Sequence, residues 1–402
     1  MEVMYMLVAL NQKNQHVYAD KLKTERRTNT KKEEYICPCC QAPVFLKQGK
    51  LKQAHFAHYH QTTCQVFSEG ETEEHLLGKK LLFEWFVKQG VPCQLEAYLP
   101  GLKQRPDLLV WLNSKTPIVI EFQCSSLSSD RMIERTEGYQ NNQYEVYWIL
   151  GSKFKFTQKL TSFQRLFMKK NKTYGYYLYS LDVYQRQLHL ISNIHQKKVS
   201  QQVACEKTTF KSAGHFSDLF MKQAIEIKME SPFYCRPQET LKKELLQSHL
   251  LLNRRRRYQE PEMVAFQKYI YRHGHSLVSL PKEVYLPVEN KVAIKTMPHF
   301  WKYILLEWLV QKELKTILTK QEIDNQIKRM IDKQQLVFFT MPLVTLNEQI
   351  DSLLPFIESL TTQGILEKIT KKEWRIKAKP YYYLNEQEKI KDFSGTKTAM
   401  EN

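Results

Sequence analysis

Asp107, Glu121 and Gln123 are the residues of this sequence whose types and spacing could do chemistry together. Asp107 follows Pro106 and opens the apolar run Leu108-Leu109-Val110-Trp111-Leu112, while Glu121 and Gln123 close a second run, Ile118-Val119-Ile120-Glu121-Phe122-Gln123. The polar stretch Asn113-Ser114-Lys115-Thr116 joins the two as a turn. A hairpin of this kind delivers two carboxylates to one end of a sheet. Carboxylate oxygens, helped by a backbone carbonyl at Phe122, suit Mg²⁺ (or Mn²⁺), which keeps several waters and takes its remaining ligands from substrate phosphate. The chain has 60 Lys+Arg against 42 Asp+Glu, a net charge of +18 and a pI near 9.3. Excess positive charge favours polyanions, so the acid pair points to metal-dependent cutting of nucleic acid.

The elements that must position these groups follow from periodicity. Side chains alternate faces along a strand, so Asp107, Leu109 and Trp111 share one face and Val119, Glu121 and Gln123 share one face of their own strand. Both faces of both runs are apolar, which predicts central strands covered on two sides. Glu69 to Gln89 has helical spacing and stops at Gly90, with Glu74, Leu77, Leu81 and Trp85 on one stripe and Leu82 beside it. Glu74 therefore points along that face toward the sheet end that carries Asp107, or serves as a helix-start acid favoured by the dipole. Val91 to Leu99 reads as a strand, and Pro100-Gly101 as the turn into Asp107. Cys124 to Asp130 is a polar loop that caps a helix from Arg131 to Asn141. Arg131, Arg135 and Tyr139 recur on one face of that helix, placed to hold backbone phosphate or to form a solvated surface. Tyr144 to Leu150 is a further strand, and Tyr174 to Ile194 an aromatic hairpin. The order is helix, three strands, helix, strand.

A second constellation lies near the N-terminus. Cys37-Pro38-Cys39-Cys40, His55-Phe56-Ala57-His58 and Cys64 fall within a short stretch, after strand-like segments at Val3 to Leu10 and Val17 to Ala19. A Cys-x-x-Cys turn gives two thiolates to one tetrahedral ion, and a later His/Cys pair closes the site. The preferred ligands are Cys37, Cys40, His58 and Cys64, with His55 and His60 as competitors and Cys39 able to replace a neighbour. A module this small needs a staple to fold, and zinc supplies one. Four protein ligands leave no open position, so the expected role is structural.

The remaining sequence is mostly helical by pattern. Leu241 to Leu252 is amphipathic and runs into Arg254-Arg255-Arg256-Arg257 beside Tyr258, a phosphate-binding candidate. His299 to Leu314 carries Trp301, Leu305, Trp308 and Leu309 on one stripe, which reads as core or partner-facing. Ile323 to Thr370 predicts a small helical unit with a wing. With 402 residues and 42% hydrophobic content, two or three domains with real cores are expected. Met1 to Leu10 lacks the basic start of a signal peptide, and no run approaches the roughly 18 apolar residues of a membrane helix. The cysteines cluster with histidines rather than spreading as a disulfide framework. The expectation is a cytoplasmic protein without membrane insertion.

Taken together, these residues carry a resemblance. Pro106-Asp107 followed by Glu121-Phe122-Gln123 is similar to the motif of the restriction-endonuclease-like nucleases, Pro-Asp and then Asp/Glu-x-Lys. The set Cys37-Pro38-x-Cys40, His55-Phe56-Ala57-His58, Glu73-Glu74-His75 with Lys79, and Arg105-Pro106-Asp107-Leu108 with Ile120-Glu121-Phe122-Gln123-Cys124-Ser125 resembles the competence protein CoiA family. The resemblance implies an α/β fold with a restriction-endonuclease-like core in the order α-β-β-β-α-β. An N-terminal zinc-binding module at 1–68 would precede a nuclease-like domain at 69–200, and a mainly α-helical C-terminal domain at 201–402 would follow. It implies a DNA-processing protein of natural transformation acting on incoming DNA, with recombination proteins as further partners. Asp107 and Glu121 would hold Mg²⁺, Glu74 would support them, and Gln123 would orient the attacking water. Gln123 stands where most of the superfamily has lysine and cannot supply that residue's charge beside the scissile phosphate. The family carries glutamine there as a rule. The same features also fit a DNA-binding accessory factor whose metal site is degenerate.

Overall fold

A computed structural model describes residues 5–22, 34–49, 53–59, 64, 72–112, 116–157, 159–196, 202–211, 238–287 and 292–394. The chain divides into two compact units, one formed by Met1–Asn193 with Cys205–Lys228 and Thr340–Leu343, the other by Ile194–Ala204, Met229–Phe339 and Val344–Asn402.

The first unit opens with a six-stranded antiparallel sheet of short strands: β1 (Tyr5–Met6), β2 (Val8–Leu10), β3 (His16–Tyr18), β4 (Tyr35–Ile36), β5 (Pro43–Lys47) and β6 (His55–His58), in the order β1-β6-β5-β4-β2-β3. Its small core is made by Met6, Ala9, Tyr35, Cys37, Val44 and Phe56. Then come α1 (Glu73–Lys88), β7 (Cys93–Leu95), β8 (Leu108–Val110), β9 (Ile118–Gln123), α2 (Ser129–Asn141) and β10 (Val146–Leu150). The short α3 (Ser162–Leu166) leads to β11 (Lys169–Asn171), β12 (Gly175–Asp182), β13 (Gln187–Gln196) and β14 (Val203–Lys211). These strands form an eight-stranded sheet, β14-β13-β12-β10-β9-β8-β7, with β11 paired to β12. β7, β8 and β9 are antiparallel neighbours, whereas β9, β10 and β12 run parallel. The helix, three-strand, helix, strand order read from the sequence is the order observed, and the sheet continues to Lys211.

Local chemistry explains the helix boundaries. Thr72 caps α1 by accepting the His75 N–H at 3.2 Å, with Glu73 and Glu74 in the first turn. Ser128 caps α2 by accepting the Arg131 N–H at 3.3 Å. β7 is shorter than expected. It stops at Leu95 because Glu96 adopts φ 50°, a left-handed conformation that ends strand geometry.

β9 is buried along its whole length. On one face Leu108, Val110, Ile118, Ile120 and Phe122 share a core with Leu76, Leu82, Trp85 and Phe86 of α1. The other face, by strand alternation, carries Glu121 against α2. α1 sits unusually close to the sheet. A Cβ added at Gly78 would lie 2.0 Å from the Phe122 ring, so only glycine allows that approach.

The second unit contains α4 (Gln238–Arg257), α5 (Pro261–Arg272), α6 (Pro298–Val310), β15 (Ile317–Thr319), α7 (Lys320–Asp332), α8 (Leu346–Ile350), α9 (Leu354–Thr362), β16 (Leu366–Thr370), β17 (Glu373–Ile376) and α10 (Glu386–Ser394). Helices dominate, and the strands form a small sheet in the order β15-β17-β16. The stripe read on α6 is core: Trp301, Leu305 and Leu309 are buried, and the Trp301 ring meets Phe356 edge-on at 5.2 Å. Burial extends to Tyr303, Ile304 and Leu306, so α6 is enclosed on more sides than its stripe indicates. No helix among the described residues is long and apolar enough to cross a membrane.

Candidate functional site

Antiparallel pairing fixes where the acids go. Leu108 is opposite Ile120, so Asp107, one residue earlier, lies beside the end of β9 that carries Glu121 and Gln123. β10 runs parallel to β9 with Leu150 opposite Gln123, and the Gly151 N–H donates to the Gln123 carbonyl at 2.8 Å. Glu74, from the first turn of α1, reaches this same end and accepts the Ser152 N–H at 2.7 Å. The sequence-derived acids are therefore gathered at one sheet end.

They are not joined in one carboxylate cluster, because α1 and α2 engage them from opposite sides. Asp107 lies just ahead of β8, and its carboxylate turns toward α1. Oδ2 accepts the Phe122 N–H at 2.8 Å and lies 3.1 Å from His75 Nε2, while Oδ1 is 3.9 Å from Lys79 Nζ. Burial would raise its pKa, but His75, Lys79 and the Phe122 N–H outweigh burial and hold the carboxyl well below its usual range. The His75 ring stacks near Phe122, 6.0 Å between centroids. Glu121, 1% exposed, faces α2: Arg135 donates to its Oε1 at 2.6 Å and the Tyr139 hydroxyl at 2.5 Å. Burial and then the Glu121 charge push the Tyr139 hydroxyl well above its ordinary pKa.

Arg135 and Tyr139, expected to hold backbone phosphate, are instead buried as the partners of Glu121; Arg131 is half-buried at the start of the same helix. The reason is the period itself. Positions four apart share a helix face whether that face meets solvent or the sheet, and here the sheet holds a carboxylate. Gln123 is 3% exposed and its amide donates to the Ser125 carbonyl at 2.9 Å. Arg254, Arg256 and Arg257 are exposed at the end of α4, Arg255 is paired with Glu260 at 3.0 Å, and Tyr258 is 68% exposed.

Among the residues around the acids, His75, Lys79 and Cys124 entered the sequence reading only as part of the family resemblance, with no role assigned, and Glu96 did not enter it. His75 and Lys79 lie one turn apart on α1, and Glu96 meets Lys79 with 2.5 Å between Nζ and Oε1. Cys124 is buried beside the acids. Burial first, then the charges of Glu74 and Asp107, raise its thiol pKa. The available signal was a lysine at 79 directly behind the apolar run Leu76-Leu77-Gly78, on the helix side that faces the sheet.

The N-terminal constellation does converge. The ligand atoms of Cys37, Cys40, His58 and Cys64 all lie within 4.8 Å of one another. Donors around a tetrahedral zinc ion are about 3.8 Å apart, given Zn–S bonds near 2.3 Å, so the Cys₃His set is compatible with zinc held by four protein ligands. Cys40 Sγ is 3.2 Å from His58 Nε2. Hydrogen bonds from the Cys39 and Cys64 thiols and from the Cys39 and Cys40 amides outweigh burial and hold Cys37 far below the ordinary thiol range, toward the thiolate a metal needs. Of the competitors, His55 meets the Tyr5 ring edge-on with 4.3 Å between centroids and places Nδ1 2.8 Å from the Gln53 carbonyl. Cys39 stays outside the group, and His60 lies outside the described residues.

Three family models match the chain in succession: the competence protein CoiA N-terminal domain over residues 19–67, the nuclease-like domain over 71–224 and the C-terminal domain over 242–390. The chain belongs to the CoiA family. A curated relative, competence protein CoiA of Bacillus subtilis (strain 168), is 31% identical over 130 residues, which is 32% of this chain and 35% of that protein. The match thus spans about a third of the relative's length. No solved structure matches the chain. In CoiA terms the Cys₃His cluster lies within the N-terminal match, completed by Cys64, and the sheet-end site lies within the nuclease-like match.

Proposed function

We propose that this CoiA protein is a metal-dependent nuclease that processes DNA during natural transformation, hydrolysing phosphodiesters of incoming DNA in the cytoplasm. The observation that carries the reading is the gathering of Asp107, Glu121 and Glu74 at one sheet end, on an α1-β7-β8-β9-α2-β10 order that fits a restriction-endonuclease-like core. The donor chemistry fits a hard cation: three carboxylates, with His75, Lys79 and Arg135 offsetting charge around them. Asp107 and Glu121 with the Phe122 carbonyl would hold Mg²⁺ or Mn²⁺, with Glu74 in support, once Glu121 turns from Arg135 and Tyr139 toward Asp107. The bound ion would polarise the phosphate and lower the pKa of its water. The chain's own share is to keep Asp107 ionised and oriented through the Phe122 N–H, and to orient water at Gln123. The exposed arginines 254, 256 and 257, with Tyr258, would hold DNA backbone in the second unit. On this reading, residues 1–68, 69–200 and 201–402 serve as zinc module, nuclease domain and DNA- or partner-binding domain.

A second reading draws on the burial of Glu121. Both Arg135 and Tyr139 already bond its Oε1, and Gln123 adds no charge. That arrangement favours a DNA-binding accessory factor that assists recombination proteins without cutting.

The experiment that separates them uses purified protein with labelled single- and double-stranded linear DNA, Mg²⁺ or Mn²⁺, and the Asp107→Ala variant. The nuclease reading expects metal-dependent cleavage that falls by roughly 10²-fold or more in Asp107→Ala. Tight binding without cleavage, identical in the variant, overturns it in favour of the accessory role.

A further inference from the structure

Gln123 leaves the sheet end without the lysine of the general nuclease motif, yet a lysine is there. Lys79 is fully buried, with its Nζ 2.5 Å from Glu96 Oε1 and 3.9 Å from Asp107 Oδ1. It reaches this place from α1 rather than from β9. Gly78 is what brings it close, since α1 lies against Phe122 at a separation that no Cβ tolerates.

Glu96 is held on every side. Its Oε1 takes Lys79, and its Oε2 accepts the N–H of Leu7 at 2.9 Å and of Val8 at 3.3 Å, at the start of β2 in the N-terminal sheet. Its own N–H donates to the Asp107 carbonyl at 2.9 Å. The residue also takes φ 50°, a conformation costly for a side chain with a Cβ. That strain directs its carboxylate to Lys79 and the N-terminal sheet while its backbone stays on Asp107. An unbroken buried line results: β2 amides, Glu96, Lys79, Asp107, Phe122 N–H. A buried Lys–Glu pair is weak as a stability device, because apolar residues of similar size do as well. Its place beside Asp107 calls for another account.

We propose that Lys79 is the positioning cation of the sheet-end site, supplying from α1 the charge that Gln123 lacks, and that Glu96 bolts it to the N-terminal sheet so that this sheet is part of the site. This rests on the reading of Asp107 as the metal-facing carboxylate, and the experiment separates the two ideas.

The full-length protein is compared with Lys79→Met, with Lys79→Met/Glu96→Gln and with Asp107→Asn. The double variant removes both charges of the pair together and keeps an acceptor for Leu7 and Val8, while Arg105, the second cation beside Glu96, stays in place. Hydrogen exchange is followed by mass spectrometry over peptides covering 5–10 and 118–124, Mn²⁺ binding by calorimetry, and zinc content by elemental analysis. The expected result is a folded, zinc-loaded double variant in which the Phe122 segment exchanges faster, as in Asp107→Asn. Mn²⁺ affinity at the Asp107-dependent site should fall roughly 10–100-fold. Wild-type protection at 118–124 in the folded double variant, or unchanged Mn²⁺ affinity, overturns the proposal. If the wild-type protein binds no Mn²⁺, the metal-dependent reading fails, and the exchange of the Phe122 segment still decides the role of Lys79.

Discussion

At the scale of single residues, the site is a set of buried charges held by named partners, and its energetics are those of paired ions in a dry place. Glu121 has almost no exposure and depends on Arg135 and Tyr139. Removing one partner of such a pair strands the other, which typically costs about 3–5 kcal/mol, whereas removing both charges costs far less. Arg135→Met should therefore lower the unfolding free energy of the first unit by about that amount, and Glu121→Gln/Arg135→Met should recover most of it. Denaturant unfolding of the two single variants and the double variant measures the cycle. Additive losses would mean the ion pair is not the element that counts. The types and spacing of Asp107, Glu121, Gln123 and Glu74 announced a site at one sheet end. They did not announce that Asp107 would turn to α1 while Glu121 turned to α2, because that depends on where β8 begins relative to Asp107.

At the scale of elements, α1 and β9 fix the site between them. Helix propensity alone favours alanine over glycine at position 78 by about 1 kcal/mol. The Phe122 ring in the way, 2.0 Å from the added Cβ, opposes it. Overpacking in a rigid core costs about 1–3 kcal/mol, and the ring, 1% exposed, has nowhere to go. The clash wins, so Gly78→Ala should lower the melting temperature and speed exchange at the Phe122 N–H. A variant as stable as wild type would show that α1 is free to lift. The elements themselves were largely legible. Apolar runs bounded by Pro106, Gly90 and the Ser-rich loop marked α1, β8, β9, α2 and β10 through their caps and periods. The truncation of β7 was not legible, because Glu96 leaves the strand only to satisfy Lys79 and the amides of Leu7 and Val8, partners far away in sequence.

At the scale of the whole molecule, the chain is two compact units with separate cores, and the second carries its own buried lysine. Lys389 on α10 has no exposure. It donates to the Leu277 carbonyl at 2.8 Å and lies 3.2 Å from the Tyr285 hydroxyl. Burial pushes its pKa down from 10.5 to about 7. Between those values the unfolded chain keeps a proton that the folded chain has released, so stability rises with pH across that interval and levels off below it. Thermal melts of wild type and Lys389→Met from about pH 6.5 to about pH 9.5 should show wild type gaining on the variant as pH rises. Parallel pH profiles would remove Lys389 from the account.

Local chemistry written in the sequence marked most of the elements, the Cys and His residues that converge near the N-terminus and the end of the sheet at which the acids gather. Caps, periods and a Cys-x-x-Cys turn act within a few residues, and a strand's register follows from the apolar face it must bury. Tertiary structure alone decided which partners each acid keeps. It gave Glu121 to Arg135 and Tyr139, Asp107 to His75 and Lys79, and Glu96 to the N-terminal sheet. A buried charge takes its partner from whatever element packs against it, and packing joins residues as distant as Leu7 and Glu96, which no local pattern connects.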